Sequence, residues 1–132
     1  MDLPQALAFA DRWYAAWNAH RPGGSPANLD AIMACYDDAI EHSSPFIARF
    51  NAGIGNAADP TLRGKPAVAA YFGRALASNP TPAGVDRFQP MHTAAGMDSI
   101  ILVYRRWTGE LAGEVFFLND RGLIVRSVSH YG

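Results

Sequence analysis

The last third of the chain constrains the fold more than any other part, because it contains four consecutive segments of strand length. Each segment carries apolar, β-branched or aromatic residues and is bounded by turn-forming residues. The predicted strands are residues 85–94, 99–107, 110–118 and 123–131, and the turns are Gly96, Thr108-Gly109 and Asn119-Asp120-Arg121-Gly122. Strands that follow one another through such short turns favour a mainly antiparallel sheet.

Three segments before these strands have the apolar spacing of amphipathic helices. The first is predicted over residues 3–20, with Asp2 as its N-cap and Gln5 in the capping-box position. The second begins at Ser25-Pro26 and ends at Asp37-Asp38, and its apolar face carries Leu29, Ile32, Met33 and Tyr36. The third begins at Pro66 and ends at Ser78-Asn79-Pro80, and its apolar residues are Val68, Tyr71, Phe72, Ala75 and Leu76. Helices that precede a run of strands indicate an α+β domain and not alternating βαβ units.

The region between the second and third helices is predicted to be short and irregular. A strand is expected at Ala39–Ser43 and another at Phe46–Phe50. Residues 51–64 are rich in Gly, Ala and Asn, and we expect them to form a loop at the rim of the fold.

Length and composition bound the class of protein. The chain has 132 residues, which suits a single domain over residues 1–132, and its formal net charge is -1. Because no basic run occurs, nucleic acid and anionic membranes are not expected as partners. The N-terminus lacks signal-peptide features, and no apolar run approaches the ~20 residues of a membrane-spanning helix. Cys35 is the only cysteine, which suits a reducing compartment, so the protein is expected to be cytoplasmic.

No motif in the chain indicates a cofactor or a metal. Gly53-Ile54-Gly55-Asn56-Ala57-Ala58 fits the spacing of a dinucleotide-binding fingerprint, but Asp59-Pro60 would break the helix that such a site requires. The four histidines, His20, His42, His92 and His130, have no metal-ligand spacing, so we expect surface or hydrogen-bonded positions for them.

The predicted strands at 99–107 and 110–118 are apolar on both faces, and only one face can pack on the helices. Charged residues make up 17% of the chain, below the roughly 25% of an average globular protein, so extra surface is expected to be hidden by self-association. The sequence therefore predicts a homodimer through the outer face of the sheet, using Val115, Phe117, Val128 and His130.

Several strings, in this order along nearly the whole chain, resemble the nuclear transport factor 2-like superfamily. They are Arg12–Asn18, Leu29–Ile32, Tyr36–Ala39, Ser43–Phe46, Arg63–Val68 and Asn119–Val125, and they look most like the SnoaL-like, or polyketide-cyclase-like, branch. The resemblance implies a cone in which three N-terminal helices and a curved, mainly antiparallel sheet enclose a pocket. Because this superfamily includes both enzymes and non-catalytic binding proteins, the fold alone does not decide the function.

The resemblance also allows the catalytic positions of relatives to be compared one at a time. The tyrosine of steroid isomerases falls on Trp13 here, and their basic aspartate falls on Ser43 or Ser44. The late acid position keeps a carboxyl in Glu114. The Arg-x-Asp pair of epoxide hydrolases with this fold is missing from the sequence. Both of these mechanisms are therefore disfavoured.

The lengths of the two hairpin turns predict which residues share the face of Glu114. A two-residue turn at Asp120-Arg121 pairs Glu114 with Ser127, and a two-residue turn at Thr108-Gly109 places Val103 opposite it, with Arg105 diagonal. Two alternatives remain open from this register. Glu114 is either an acid kept neutral by burial, which can donate a hydrogen bond, or a structural partner of Arg105.

These expectations combine into a predicted site with Glu114 as its polar and catalytic centre. The expected ligand-binding residues are Trp13, Trp17, Tyr36, Ser44, Phe46, Phe72, Phe116, Ser127, Ser129 and Tyr131. The first hypothesis for function is a protein that binds a small hydrophobic, carbonyl-bearing molecule without catalysis. The alternative is a cofactor-independent isomerase, cyclase or hydratase that uses Glu114. A protein-interaction module ranks third, because no segment marks a partner surface.

Overall fold

The computed structural model describes residues 1–19, 26–55 and 58–132, which form four helices and six strands. In chain order these elements are α1 (Leu3–Asn18), α2 (Pro26–Met33), β1 (Tyr36–Ser43), α3 (Pro45–Gly53), β2 (Thr61–Arg63), α4 (Lys65–Ser78), β3 (Phe88–Ala95), β4 (Ser99–Arg106), β5 (Leu111–Leu118) and β6 (Ile124–Tyr131). The predicted α+β class is confirmed. No helix in the described ranges is long and apolar enough to cross a membrane.

The six strands form one curved, unclosed sheet in the order β2-β1-β6-β5-β4-β3. All neighbours are antiparallel except β1 and β6, which run parallel, so the prediction of a mainly antiparallel sheet is confirmed. Helix α1 packs on β3 and on α2, while α4 packs on β1 and on α2. The helices therefore cover one concave face of the sheet.

An aromatic stripe on α1 forms the centre of the core. Asp2 caps this helix and forms the predicted capping box with Gln5, because each residue accepts a hydrogen bond from the backbone N–H of the other. The indole of Trp13 stacks on Phe88 with ring centroids 5.5 Å apart, and it also contacts Phe116 at 5.3 Å. Helix α1 is thereby fixed against β3 and β5.

Two predictions about the first half of the chain are wrong. The segment Phe46–Phe50 is not a strand but part of α3, because Ser44 caps the helix N-terminus and Pro45 occupies its first turn. Tyr36 does not lie on the face of the second helix, since α2 ends at Met33 and Tyr36 begins β1. The cone consequently has one more described helix than the three that were expected.

The predicted loop over residues 51–64 contains the end of α3 and all of β2. Thr61, Leu62 and Arg63 pair antiparallel with the end of β1, which gives the sheet an extra edge strand. The predicted end of the first helix at residues 20–24, the start of the second at Ser25, and part of the fingerprint-like segment (Asn56 and Ala57) lie outside the described residues.

The β4–β5 hairpin has a three-residue loop instead of the two-residue turn that was expected. Trp107, Thr108 and Gly109 form this loop, and the N–H of Arg106 donates to the carbonyl of Glu110 at 2.8 Å. Gly109 has φ 102°, a conformation that favours glycine. The additional residue exchanges the faces of β4, so Leu102, and not Val103, lies opposite Glu114.

The β5–β6 hairpin also differs in length, but it preserves the predicted faces. The N–H of Asn119 donates to the carbonyl of Leu123, and the register shifts once more between Phe117 and Leu118. The longer loop and the register shift each move the pairing by one residue. Together they move it by two, so the same side chains of β6 face inward as predicted. Glu114 therefore pairs with Ser129, and not with Ser127 as predicted, while both serines still project to the inner face.

Candidate functional site

A cavity of about 470 Å³ lies between the sheet and the helices α1, α3 and α4. Its buried lining residues are Trp17, Tyr36, His42, Phe72, Arg87, Phe88, Tyr104, Glu114 and Ser129. Its more exposed lining residues are Phe46, Phe50, Tyr71, Arg74, Ala75, Ser78, Asn79, Arg106, Trp107 and Tyr131. The cavity consequently has a floor of buried groups and a rim, which we define as Phe46, Phe50, Arg74, Arg106, Trp107 and Tyr131 together with Arg87, which is buried beside Trp107.

Glu114 is the acid on the cavity floor and is only 5% exposed. The hydroxyl of Tyr104 donates to its Oε1 at 2.9 Å, and the hydroxyl of Ser129 lies 2.8 Å from Oε2 and 3.0 Å from Oε1. Loss of water on burial raises the pKa of Glu114 to about 8, although both hydrogen bonds act in the opposite direction. The carboxyl is therefore neutral at pH 7 and keeps an O–H donor.

Arg105 does not approach Glu114, so the structural ion pair considered from the sequence is not formed. The exchanged faces of β4 direct the Arg105 side chain outward, where its Nη1 donates to the carbonyl of Gly109 at 2.6 Å. Tyr104 occupies the position diagonal to Glu114 instead. Because the neighbour of Glu114 is the neutral Tyr104 and not a cation, no positive charge offsets the cost of burying an ionised carboxylate.

Four tyrosines line the same cavity as Glu114. Burial is the main cause that raises the pKa of Tyr36, Tyr71, Tyr104 and Tyr131, the last to about 12, and a negative charge on Glu114 would raise each of them further. These phenols therefore stay protonated and can donate hydrogen bonds. The walls between them are aromatic, so polar contacts in the cavity are few and localised.

His42 projects from β1 into the same cavity and is almost fully buried. Its Nδ1 lies 2.6 Å from the Oγ of Ser127, on the neighbouring strand β6. Desolvation, followed by the nearby charge of Arg126, lowers the pKa of His42 to about 4. The imidazole is accordingly neutral at pH 7, and the bond to Ser127 leaves Nε2 for other partners.

Trp13 lies beneath the cavity and orients one of its lining residues. The indole Nε1 donates to the hydroxyl of Tyr36 at 3.2 Å. Because Trp13 is packed among Phe88, Tyr104 and Phe116, this donor has one fixed direction. Trp13 therefore acts through Tyr36 and does not line the cavity itself.

The structure brings together seven of the residues that the sequence singled out. These are Trp17, Tyr36, Phe46, Phe72, Glu114, Ser129 and Tyr131. The other four do not line the cavity: Trp13 and Phe116 are core residues, Ser44 caps α3, and Ser127 is fully buried next to His42. Because the β5–β6 hairpin is longer than a two-residue turn, Ser127 pairs with Phe116 instead of Glu114, although it stays on the inner face.

Several lining residues were missed from the sequence, and some of them had a detectable signal. His42 follows the apolar Ile40 by two positions within the predicted strand Ala39–Ser43, which places both side chains on the inner face. Tyr71, Arg74 and Ser78 recur at helical spacing on α4. Tyr104 and Arg106 required the correct loop length, and nothing in the sequence near Arg87 indicated that it faces a cavity. Among the described residues, no group of three or more His, Cys, Asp and Glu side chains could hold a metal ion.

Helices on one face of a curved, open mixed sheet, with a cavity between the two layers, define a protein of the nuclear transport factor 2-like fold class. A SnoaL-like protein of unknown function from Burkholderia thailandensis E264 is 36% identical, with a TM-score of 0.81, over 100% of this chain and 98% of that one. The chain therefore belongs to the SnoaL-like family. Neither a protein-family model nor a functionally curated protein matches it.

More distant structures share the fold alone. A candidate isomerase of the SnoaL-like family from Agrobacterium tumefaciens C58 is 17% identical, with a TM-score of 0.71, over 98% of this chain and 99% of that one. A Catenulispora acidiphila DSM 44928 protein with a ketosteroid isomerase-like fold, solved in complex with trimethylamine, is 13% identical, with a TM-score of 0.61, over 94% of this chain and 85% of that one.

Proposed function

We propose that the protein binds a small, mainly apolar molecule whose carbonyl oxygen accepts a hydrogen bond from Glu114. The observation that carries this proposal is a buried carboxyl that is neutral at pH 7 and faces a cavity with aromatic walls. The cavity volume of about 470 Å³ falls within the range of roughly 300–1,000 Å³ that is usual for small-molecule sites. The complex of a similarly folded protein with trimethylamine supports a small-molecule ligand in this fold.

The neutral state of Glu114 determines what it recognises. An ionised carboxylate only accepts hydrogen bonds, whereas the neutral acid also donates one. A carbonyl oxygen that enters the floor therefore finds a donor in Glu114, with the Tyr36 hydroxyl also on the floor. The apolar remainder of the ligand packs against Trp17, Phe72 and the rim aromatics.

The test compares acetylnaphthalene with ethylnaphthalene, which has a similar shape but no carbonyl group. We expect the ketone to bind about tenfold more tightly, the effect of one hydrogen bond of roughly 1.4 kcal/mol. The variant Glu114→Gln retains an N–H donor and most of this preference, whereas Glu114→Ala loses it. The control is Glu41→Ala, which removes an exposed carboxylate outside the cavity lining. A Glu114→Ala protein that prefers the ketone as strongly as the wild type would refute the proposal.

A second candidate function is proton transfer at a carbon next to the carbonyl group. It is favoured by one observation: the environments of Glu114 and His42, which line one cavity, shift their pKa values in opposite directions, so both are neutral at pH 7. Glu114 would give its proton to the carbonyl oxygen while Nε2 of His42 accepts the proton that leaves carbon. A pKa of about 4 makes His42 a weak base, which is why binding ranks first.

This second function is tested by exchange of the acetyl hydrogens of acetylnaphthalene in deuterated water, followed by NMR. Catalysis predicts that the wild-type protein accelerates exchange, and that Glu114→Gln still binds the ketone but no longer accelerates it. Exchange at the same rate in wild type, Glu114→Gln and buffer leaves only the binding function.

We further propose a homodimer through the outer face of the sheet and a cytoplasmic location. Ile101 and Phe117 are 48% and 39% exposed on this face, next to the half-buried Val115 and Val128. Cys35 is a free thiol, in keeping with a reducing compartment. Sedimentation should give a dimer at micromolar concentration and a monomer for Phe117→Glu. A wild-type monomer in that experiment contradicts the proposed assembly.

A further inference from the structure

We propose that the ligand is an amphipathic organic anion whose carboxylate is held by Arg87 and Arg106 at the rim, while its apolar body extends toward Glu114. This inference rests on the proposed binding function and adds the charge and orientation of the ligand. It is carried by a cluster of guanidinium groups at the cavity entrance, none of which forms an ion pair with a carboxylate of the described residues.

Arg87 and Arg106 both pack against one indole, that of Trp107. The guanidinium carbons lie 4.7 Å and 5.2 Å from the ring of Trp107, respectively. Arg106 also lies 5.7 Å from the ring of Phe46 and 5.5 Å from that of Tyr131. These contacts hold two positive charges at the entrance, although like charges repel each other.

Arg87 is unusual because it is a nearly buried cation, only 7% exposed. Its Nη2 donates to the carbonyl of Asn79 at 2.6 Å, and the described residues give its side chain no other hydrogen-bond acceptor. Desolvation and then the charge of Arg106 lower the pKa of Arg87. A buried guanidinium normally has a carboxylate or another anion as its partner.

No carboxylate in the described part of the chain forms an ion pair with the rim arginines. The ion pairs of the described residues involve Arg63, Lys65 and Arg121, all away from the cavity lining. Among the described lining residues Glu114 is the single acid, and burial keeps it neutral. Glu110 is exposed, and the charge of Arg106 is only the last of the causes that lower its pKa.

The helix side of the rim continues the same alternation of cations and aromatic rings. Arg74 on α4 lies 4.2 Å from the ring of Phe50 on α3. The planar fork of a guanidinium matches the two oxygens of a carboxylate, and the neighbouring rings offer flat apolar surfaces. The rim is therefore suited to a ligand that joins an anionic group to an apolar, flat body.

The experiment uses three probes that share a naphthalene ring and an acetyl group. They carry, at the end opposite the acetyl group, a carboxylate, a neutral primary carboxamide or a protonated aminomethyl group. Binding is followed by the fluorescence change of Trp107 and Trp17, or by calorimetry. We expect the carboxylate to bind at least about tenfold more tightly than the amide, the effect of one charge-assisted contact, and the ammonium probe most weakly.

Neighbouring arginines on β4 provide a matched pair of variants. Arg106→Gln should reduce the affinity for the carboxylate about tenfold more than the affinity for the amide. Arg105→Gln, on the outer side of the same strand, should change neither. Raised salt should weaken carboxylate binding in the wild type and in Arg105→Gln, and much less in Arg106→Gln. Arg106→Gln and the salt series test the proposal without substitution of the buried Arg87.

The outcomes separate this inference from the function on which it rests. If the amide binds as tightly as the carboxylate, or the ammonium probe binds best, the anionic ligand is excluded while carbonyl binding stands. If Arg105→Gln and Arg106→Gln lose carboxylate affinity equally, the assignment to the rim is wrong. If none of the three probes and neither neutral naphthalene binds the wild type, both proposals are refuted.

Discussion

The hydroxyl of Tyr104 donates a hydrogen bond of 2.9 Å to Oε1 of Glu114 from the adjacent strand. This bond stabilises the ionised carboxyl, so it opposes the effect of burial, and the pKa of Glu114 that results from both is about 8. Removing the hydroxyl in Tyr104→Phe should therefore raise the pKa of Glu114 further and cost about 1 kcal/mol of stability.

Carbon-13 NMR of the Glu114 carboxyl, titrated in wild type and variant, measures this change. Arg105→Gln is the control and should leave the Glu114 titration unchanged, because Arg105 faces away from it. A lower pKa in Tyr104→Phe, or a shift of equal size in Arg105→Gln, would contradict the geometry described here.

Glu114 should make the protein less stable as the pH rises. Its ordinary pKa is 4.5 and its pKa in the fold is about 8. Below pH 4.5 the carboxyl is neutral in both the folded and the unfolded protein, so its protonation does not lower the free energy of unfolding. Between the two values the unfolded chain releases the proton that the folded protein keeps, which lowers the free energy of unfolding by up to about 1.4 kcal/mol per pH unit. In urea unfolding, Glu114→Gln should gain stability relative to wild type across this window, and parallel curves would refute the raised pKa.

His42 should produce the opposite dependence at acid pH. Its pKa falls from 6.5 to about 4 on folding, so its contribution is complete above pH 6.5 and is lost as the pH drops toward 4. His42→Asn should remove this acid destabilisation while keeping a polar partner for Ser127. Between pH 4.5 and 6.5 the contribution of His42 to the free energy of unfolding rises with pH and that of Glu114 falls. The two contributions should therefore nearly cancel in the wild type over this range. A His42→Asn profile parallel to wild type between pH 4 and 6.5 would show that His42 does not titrate in this way.

Alanine substitutions at Phe116 and Phe46 should distinguish a residue of the core from a residue of the cavity rim. Phe116 is completely buried against Trp13 and Phe9, so Phe116→Ala is expected to cost about 3–5 kcal/mol. Phe46 is half-buried at the rim, so Phe46→Ala should cost much less stability and mainly weaken binding of the naphthalene probes. Thermal unfolding and ligand titration of the two variants give both quantities. Equal losses of stability would place Phe46 in the core.

Much of the fold could be predicted because apolar periodicity and turn residues act locally. The spacing of Trp13 and Trp17, the cap at Asp2 and the four late strands all follow from such patterns. Ser44-Pro45 carried an equally local helix-start signal, and α3 was missed because Phe46–Phe50 was interpreted by its aromatic residues alone.

The candidate site was harder to predict, because it depends on register and on residues far apart in the chain. Glu114 and Tyr131 were found because alternation along a strand survives an even shift. Tyr104 and Arg106 were missed because one additional loop residue exchanges the faces of β4. Arg87 follows no periodic pattern, and its role depends on Trp107, Asn79 and Arg106, which no local rule brings together.

The length of the loop at Trp107, Thr108 and Gly109 determines which side chains of β4 reach the interior. Deleting a single codon here would rotate β4 by one pleat and present Ile101, Val103 and Arg105 to the interior in place of Leu102, Tyr104 and Arg106. The donor to Glu114 and a cation of the entrance would be lost together, without any point mutation. The chemistry of the cavity thus depends on the length of a surface hairpin as much as on the identity of the residues that line it.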